Sequence, residues 1–510
     1  MKLRLFVLLS CLYLAAASRE PPWGDAHVVY ETTEALLSRG RLDIQLPGPP
    51  QFYAIRDGKR YGVFPLGHVV AMAPGFMVFS LLSLIPRAPI HLLYAYTSHL
   101  PTSLLMAGAC VLFFALARRE GASERSAFWL SLALGTTTIL AVYARSPYSE
   151  ATQTLILTWL VERVLTLGER LRPKNAALAG LAAGLLINTK LVYAVVLPVF
   201  LAYVIIRHRR GQHGSWAPLL TALAAATVPF ALLSGFALWH NHLKTGSWLD
   251  SGYRIPEGVF SGDAYAALHG YLLSPGKSVF LYSPLLILGV LGFAEYHRRH
   301  PAHARLVLAV LVTVLLVNAK FRYWHADYCW GPRLLVPLTP MWLLPAAPWL
   351  EGALDRGRRR LRRLGLGLLM AAGLFVQLLG SAFYWDHYIR IAIAVKDQTG
   401  AASWYTEDLH HCHFIPQFSP LVGHAWMLRH LLLGDDPLTD APWRRVAPGR
   451  VRLDREWSAV RLDWWVAELK PEPQLLLPGV LIAGLVLAGG VWASLGLSRR
   501  LRTATPAPPA

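Results

Sequence analysis

The residues best placed to do chemistry stand at the ends of apolar runs. They are the carboxylates Asp25 and Glu150 and the cations Lys190, Lys277, Lys320, Arg322 and Arg333. Asp25 follows shortly after the first apolar segment, MKLRLFVLLSCLYLAAAS. A carboxylate held at that depth can take a proton from an acceptor hydroxyl or amine as a general base. It can equally cap the helix that the pattern of 26–39 predicts. Glu150 closes the turn RSPYSE at 145–150 and opens the next apolar run. It could bind an acceptor or a metal, or favour the helix N-terminus. Lys190, in INTK, has apolar residues on both sides, where an ammonium is costly. For all five cations the alternative role is snorkelling of a long side chain to the interface. The run HHCH at 410–413, with His424 and His430 nearby, offers metal ligands. Neighbouring His-His-x-His side chains rarely converge on one ion, so the run reads as surface histidines. Asp263 and Asp327 are isolated. There is no Gly-rich phosphate loop and no nucleophile elbow.

The linkers between apolar runs decide which of these residues share a face. One set is short and basic: RREGASER at 118–125, ERLRPK at 169–174, RHRR at 207–210, RRHPAHAR at 298–305, DRGRRRLRR at 355–363 and SRRLR at 498–502. The other set is aromatic and polar: the first loop 19–63, the RSPYSE turn, 241–278, 320–332 and 385–472. Lys and Arg resist translocation, so the basic set belongs to the cytoplasmic side. Parity then requires that the proline-bearing stretch 64–86 does not cross, which makes it a re-entrant or interfacial element. The spans are about 3–18, 91–117, 127–144, 151–168, 175–188, 190–206, 217–240, 279–295, 305–319, 333–350, 364–384 and 475–497. That is about 12 helices with both termini inside. The pair 175–188 and 190–206 is divided by a break at Asn188-Thr189-Lys190. The first segment resembles a signal peptide as well as a transmembrane helix, and either reading leaves residue 20 onward outside.

The expected fold class is therefore an all-α polytopic membrane protein. A transmembrane core covers 1–384, with an interfacial helix inside the first outer loop 19–63. An outer segment follows at 385–472, then a last transmembrane helix within 473–502. The tail 503–510, TATPAPPA, reads as disordered. Composition agrees: 510 residues, 54% hydrophobic and 15% charged, with mean hydropathy +0.38. The formal charge of +19 lies largely in the basic linkers. It points to anionic lipid headgroups and not to nucleic acid, none of whose motifs is present. Of the four cysteines, Cys329 and Cys412 fall on the outer side, where a disulfide between them would be permitted.

Several segments, in order, resemble the GT-C membrane glycosyltransferases. An acid just after the first helix is followed by an interfacial helix and then FPLG. Next come YARSPYSEATQTLIL, LAGLAAGLLINTKLVYAVVLPVFLAYVI, HNHLKTGSWLDSGY, LLSPGKSVFLYSPLLILG, YWHADYCWGPRLLVPLTP and HFIPQFSPLVGHAWMLRHLL. The likeness spans roughly residues 1–430 and extends to poorly characterised bacterial members of the protein mannosyltransferase and aminoarabinose transferase-like superfamily. It implies a bacterial inner-membrane enzyme that moves a sugar, with inversion, from a polyprenyl-phosphate-linked donor to a glycan, lipid or protein acceptor on the outer face. It makes Asp25 the base. It makes Lys190, Arg333, Lys320 and Arg322 the cations that neutralise the donor phosphate, Arg through paired hydrogen bonds. Glu150 and Glu31 become weaker candidates for acceptor or metal. The resemblance names no certain cofactor, and a divalent metal is compatible with the carboxylates. Trp324, Trp330, Trp404, Trp464 and Trp465 could stack on sugar rings or form an interfacial belt. Many members carry two adjacent acids where this chain has Asp25-Ala26, with Glu31 the next acid. Two rival readings follow: a transporter or flippase of lipid-linked saccharides, and a GT-C-like scaffold without catalysis.

Overall fold

The computed structural model describes residues 1–45, 50–211, 215–255, 258–326, 329–354, 360–401, 410–468 and 476–503. Asp327, Trp404, residues 355–359 of the basic linker and residues 504–510 of the tail lie outside them. The described chain is helical apart from one small sheet. Among the described residues, six helices are long and apolar enough to cross a membrane: Ile90–Arg119, Leu191–Arg210, Ala217–Thr245, Pro301–Lys320, Arg360–Ala382 and Gly479–Arg500. The other expected spans are shorter or broken. The first helix, Lys2–Ala15, has 14 residues. It packs between Ile90–Arg119 and Leu476–Thr503, with Leu5 and Leu9 fully buried. The expected 127–144 is a helix, Glu124–Thr137, then an extended Thr138 and a short helix, Leu140–Ala144. The expected 333–350 is a chain of short turns, Arg333–Leu338, Thr339–Leu343 and Ala346–Leu354. Pro337, Pro340, Pro345 and Pro348 explain this, since each removes a backbone donor and crowds the preceding turn.

The break expected at Asn188-Thr189-Lys190 is present. The helix Pro173–Thr189 stops, Lys190 is extended (φ −157°, ψ 116°), and the chain resumes as Leu191–Val196 and Leu197–Arg210. The stretch 64–86 forms a helix of 17 residues, Leu66–Leu82, with Pro74 inside it. The helix Asp25–Arg39 lies against it through Val29, Tyr30, Leu66, Val69, Met72 and Phe76. Asp25 in its first turn, Arg39 in its last and a left-handed Gly40 beyond suit the helix dipole and its C-terminal stop. After it the first loop folds into a three-stranded antiparallel sheet of Asp43–Ile44, Tyr53–Arg56 and Lys59–Gly62, with the last strand central. Its hairpin turns on Asp57-Gly58, both at positive φ. That dipeptide is a strong hairpin signal.

Contacts join linkers of the same kind, at two separate ends of the helices. On one face Arg119 pairs with Glu169 at 2.7 Å, Ser123 N–H donates to Glu351 at 2.5 Å, and His303 meets Glu120 at 2.9 Å. On the other, Lys244 donates to the Val63 carbonyl at 2.8 Å and Gly276 N–H to the His413 carbonyl at 3.0 Å. The segment after residue 385 has a core of its own. Helices Asp386–Thr399 and Pro420–Leu433 enclose Tyr388, Ile391, Val395, Phe418, Trp426 and Trp443. Trp426 meets Trp443 and Trp457 edge-on at 5.0 and 5.1 Å. Such pairs add roughly 0.5–1.5 kcal/mol each beyond the area they bury.

A buried ion pair joins this segment to the rest of the chain. Arg145 and Asp463, each 3% exposed, pair at 3.2 Å. Arg145 also donates to the carbonyls of Ala16, Ser381 (2.8 Å) and Asp463. Asp463 accepts from the Ser18 hydroxyl at 2.6 Å and the Arg19 N–H at 3.0 Å. Desolvating such a pair is costly, and the carbonyl acceptors offset much of that cost.

Candidate functional site

Four of the residues singled out by type and spacing meet at one point. Arg333 Nη2 lies 2.5 Å from Asp25 Oδ2, and Arg333 Nε lies 2.9 Å from Glu150 Oε1. The guanidinium sits 4.1 Å above the centre of the Tyr148 ring. Lys190 lies within electrostatic reach of the same group: its charge acts on Glu150, and those of Glu150, Arg333 and Asp25 act on it. Its ammonium makes no hydrogen bond or ion pair among the described residues. Two carboxylates and two cations come from four separate elements.

Local sequence explains how each arrives. Gly24 (φ +62°, ψ −126°) turns the chain sharply into the helix, so Asp25 is its first residue rather than its cap. Among the described residues, the Asp25 carboxylate bonds its neighbour's N–H, Ala26, at 3.1 Å, and Arg333. The cap role weighed for Asp25 therefore gives way to a first-turn position, where the dipole still favours a negative charge. Glu150 opens the helix Glu150–Glu169. His68 fixes that turn, with Nδ1 2.9 Å from Thr152 Oγ1 and Nε2 3.3 Å from the Pro147 carbonyl. The Tyr193 hydroxyl donates to Gln153 at 3.1 Å, which holds the segment after Lys190 against the Glu150 helix. Gly67 of FPLG is needed for close approach: a Cβ there would lie 2.6 Å from the Asn188 carbonyl oxygen. Glycine thus lets the Leu66–Leu82 helix press on the break that presents Lys190.

Exposure separates the two acids. The Asp25 side chain is 26% exposed, Glu150 1% and Arg333 13%. Glu150 Oε2 is buried without a hydrogen-bond partner. Burial alone would raise the Glu150 carboxyl, but the opposing charges of Arg333 and Lys190 outweigh it and hold the pKa below its ordinary value. The arrangement is a part-exposed carboxylate, a buried one whose anionic form is favoured, one cation bonded to both and a second within electrostatic reach. It can accept a proton at Asp25 and hold an anionic group at Arg333 and Lys190.

The remaining candidates lie elsewhere. Lys320 is exposed at the end of Pro301–Lys320, and Arg322 N–H donates to the Val259 carbonyl at 3.0 Å. Among the described residues no hydrogen bond or ion pair joins either to the cluster. Glu31 is nearly buried, with His27 3.9 Å away. Lys277 is buried, its ammonium 3.1 Å from Cys329 Sγ. Cys329 and Cys412 are free, so the disulfide that sequence permitted is not formed. The histidines expected at the surface are interior. His411, His413, His424 and His430 are all buried. His424 Nδ1 is 2.9 Å from the Leu379 carbonyl, and His430 bridges Asp435 and Asp440. Trp324 and Trp330 are core residues, Trp330 behind the Tyr143 hydroxyl that donates to its carbonyl at 2.9 Å. Tyr148 was not singled out in sequence, though it immediately follows Pro147 in the turn that leads to Glu150.

No protein-family model matches the chain, nor does any curated protein. Among solved structures, the chain is similar to ArnT from Cupriavidus metallidurans bound to undecaprenyl phosphate, with 17% identity, 86% of this chain and 72% of that one covered, and TM-score 0.46. It is similar to the same protein in the apo state, with 15% identity, coverage of 86% and 73%, and TM-score 0.48. It is also similar to the archaeal oligosaccharyltransferase AglB from Archaeoglobus fulgidus in complex with an inhibitory peptide and a dolichol-phosphate, with 10% identity, coverage of 82% and 60%, and TM-score 0.42.

Proposed function

We propose that this protein is a membrane glycosyltransferase that moves a sugar from a polyprenyl-phosphate-linked donor to an acceptor on the outer face, with inversion. The observation that carries the reading is the meeting of Asp25, Glu150, Lys190 and Arg333 at the ends of apolar helices. The ordered sequence resemblance supports the choice of donor.

In the unloaded protein the four charges sum to zero, and Arg333 is shared by the two acids. A donor phosphodiester brings one negative charge. It competes for Arg333 and Lys190 and so releases Asp25 from its 2.5 Å ion pair. Asp25, the more exposed acid, then takes the proton of the acceptor hydroxyl or amine as that atom attacks the anomeric carbon. The bond from anomeric carbon to phosphate oxygen breaks with both electrons going to the oxygen. The carrier leaves as a phosphomonoester with two negative charges, facing two cations while Asp25 has become neutral. Total charge is conserved, and the developing negative charge meets donors already in place. Glu150 stays ionised and keeps Arg333 oriented. A divalent metal would have to enter against Arg333 and Lys190, with Glu150 Oε2 as the one carboxylate oxygen left over.

The test is transfer from labelled polyprenyl-phosphate sugars by the purified full-length protein beside Asp25→Asn. The variant is expected to lose about 10²–10⁴-fold in rate while keeping the fold. Full activity in Asp25→Asn would remove Asp25 as base. Flipping of lipid-linked saccharide with no transfer from a broad donor panel would favour the transporter reading instead.

A further inference from the structure

On the opposite face, two basic linkers meet over one buried carboxylate. Glu120 is the C-cap of the long helix Ile90–Arg119. His300 precedes the helix Pro301–Lys320, and His303 lies in its first turn. His303 Nδ1 is 2.9 Å from Glu120 Oε2 and 3.1 Å from Oε1. His300 Nδ1 is 3.8 Å from the same Oε2. The two imidazoles lie nearly parallel, 9° between planes and 5.6 Å between centres. The Glu120 side chain is fully buried, while His303 and His300 are 12% and 28% exposed. The Tyr296 hydroxyl donates to Oε2 at 3.0 Å and orients the carboxylate. Among the described residues, this is the one group of three His, Cys, Asp or Glu ligand atoms lying within 4.8 Å of one another.

A hydrogen-bonded pair accounts for only part of this. His303 satisfies the carboxylate, but His300 Nδ1 points at the same oxygen from beyond hydrogen-bond distance. Two imidazolium rings there would also stand beside Arg119, whose Nε is 4.0 Å from Glu120 Oε1. Its outer nitrogens turn away, to Glu162 at 3.8 Å and Glu169 at 2.7 Å. Two neutral imidazoles with one carboxylate are a ligand set that zinc takes, leaving one position open. Tetrahedral bonds of that length put ligand atoms about 3.3–3.5 Å apart. The pairs at 2.9 and 3.8 Å bracket that spacing, so an ion there needs only a small shift of the half-buried His300 ring. A hydroxyl holding the ligating carboxylate in place is the outer-shell support such sites use.

We propose that Glu120, His300 and His303 bind a zinc-class divalent cation that fastens the 118–125 linker to the start of the Pro301–Lys320 helix. The site is separate from the Asp25 cluster and does not depend on the glycosyltransferase reading. The test uses full-length protein in detergent, stripped with chelator and titrated with Zn²⁺, with Mg²⁺ as the hard-ion control. Bound metal is counted after dialysis, and thermal unfolding is followed in parallel. Expected are one additional Zn²⁺ per chain over the His300→Ala/His303→Ala variant, a rise in unfolding temperature reversed by chelator, and at least a tenfold weaker affinity in the variant. His300→Gln, at the exposed edge of the site, gives an intermediate loss and serves if the double variant does not fold. Equal zinc binding by wild type and these variants, or no zinc binding by wild type, overturns the proposal.

Discussion

Removing Arg333 while keeping its packing tests the central cluster most directly. In Arg333→Met the side chain still covers Tyr148 but loses two charge-assisted hydrogen bonds, to Asp25 at 2.5 Å and to Glu150 at 2.9 Å. Water compensates the two acids unequally. Asp25, 26% exposed, recovers part of its loss by hydration, whereas Glu150, 1% exposed, cannot. Glu150 is then a buried anion with Lys190 as its remaining counter-charge and with Oε2 already unpartnered. Breaking a buried pair in this way costs about 3–5 kcal/mol. Glu150→Gln alone leaves Arg333 paired with Asp25 and should cost about 1.5–3 kcal/mol, the range for a hydrogen bond to a charged group. In Arg333→Met/Glu150→Gln the stranded charge is gone, so the double variant should be about 1–3 kcal/mol more stable than the sum of the singles predicts. Denaturant titration in a fixed detergent, read by tryptophan fluorescence, measures all three. Additivity within about 0.5 kcal/mol would mean that the two residues do not share one network, and the account of the site given above would fail.

The same geometry yields further expectations. Because the folded-state pKa of Glu150 is depressed, its stabilisation is complete above the unfolded carboxylate pKa of about 4.3. It is lost as pH falls through the lowered folded value, and a flat stability profile there in wild type relative to Glu150→Gln would contradict this. Lys190→Met removes a cation that makes no hydrogen bond in the unloaded protein. It should lower transfer by about 10²–10³-fold with little loss of stability, and equal losses in both would make Lys190 a structural residue. Gly24→Ala forces a side chain into φ +62°, at a cost of about 1–3 kcal/mol, and should lower kcat by displacing Asp25. Asp463→Asn leaves the buried Arg145 without its counter-charge. Limited proteolysis should then cut within 385–468 faster than in wild type, and an unchanged rate would show that the pair does not hold that segment.

Much of the site could be read from the chain because its members sit at breaks. Asp25 follows the first helix, Glu150 follows a proline turn, Lys190 interrupts two helices, and Arg333 follows Gly331-Pro332. Each break is a local event with a local signal. Which cations gather is not local, and Lys320 and Arg322 shared the signal without sharing the place. Histidines near Trp and Phe read as surface residues from polarity alone, yet packing of the outer segment buried them. The small sheet departs from the all-α expectation: Asp57-Gly58 is its one local signal, and the surrounding residues alternate too weakly to mark strands. The Arg145–Asp463 pair joins residues more than three hundred positions apart, and nothing near either one predicts the other.

That pair bears on the order in which the protein matures. Arg145 enters the membrane region early in synthesis, well before Asp463 has been made, and its other acceptors come from Ala16 and Ser381. Until residue 463 has been made, the guanidinium lacks its anion and the Ser18–Arg19 turn just ahead of Asp25 lacks its anchor. The turn just ahead of the Asp25 cluster is therefore anchored only after residue 463 has been made. A nascent chain released before residue 463 should carry every residue of the Asp25 cluster and still be inactive. Coexpression of the missing C-terminal fragment, by supplying Asp463 in trans, would be expected to restore it.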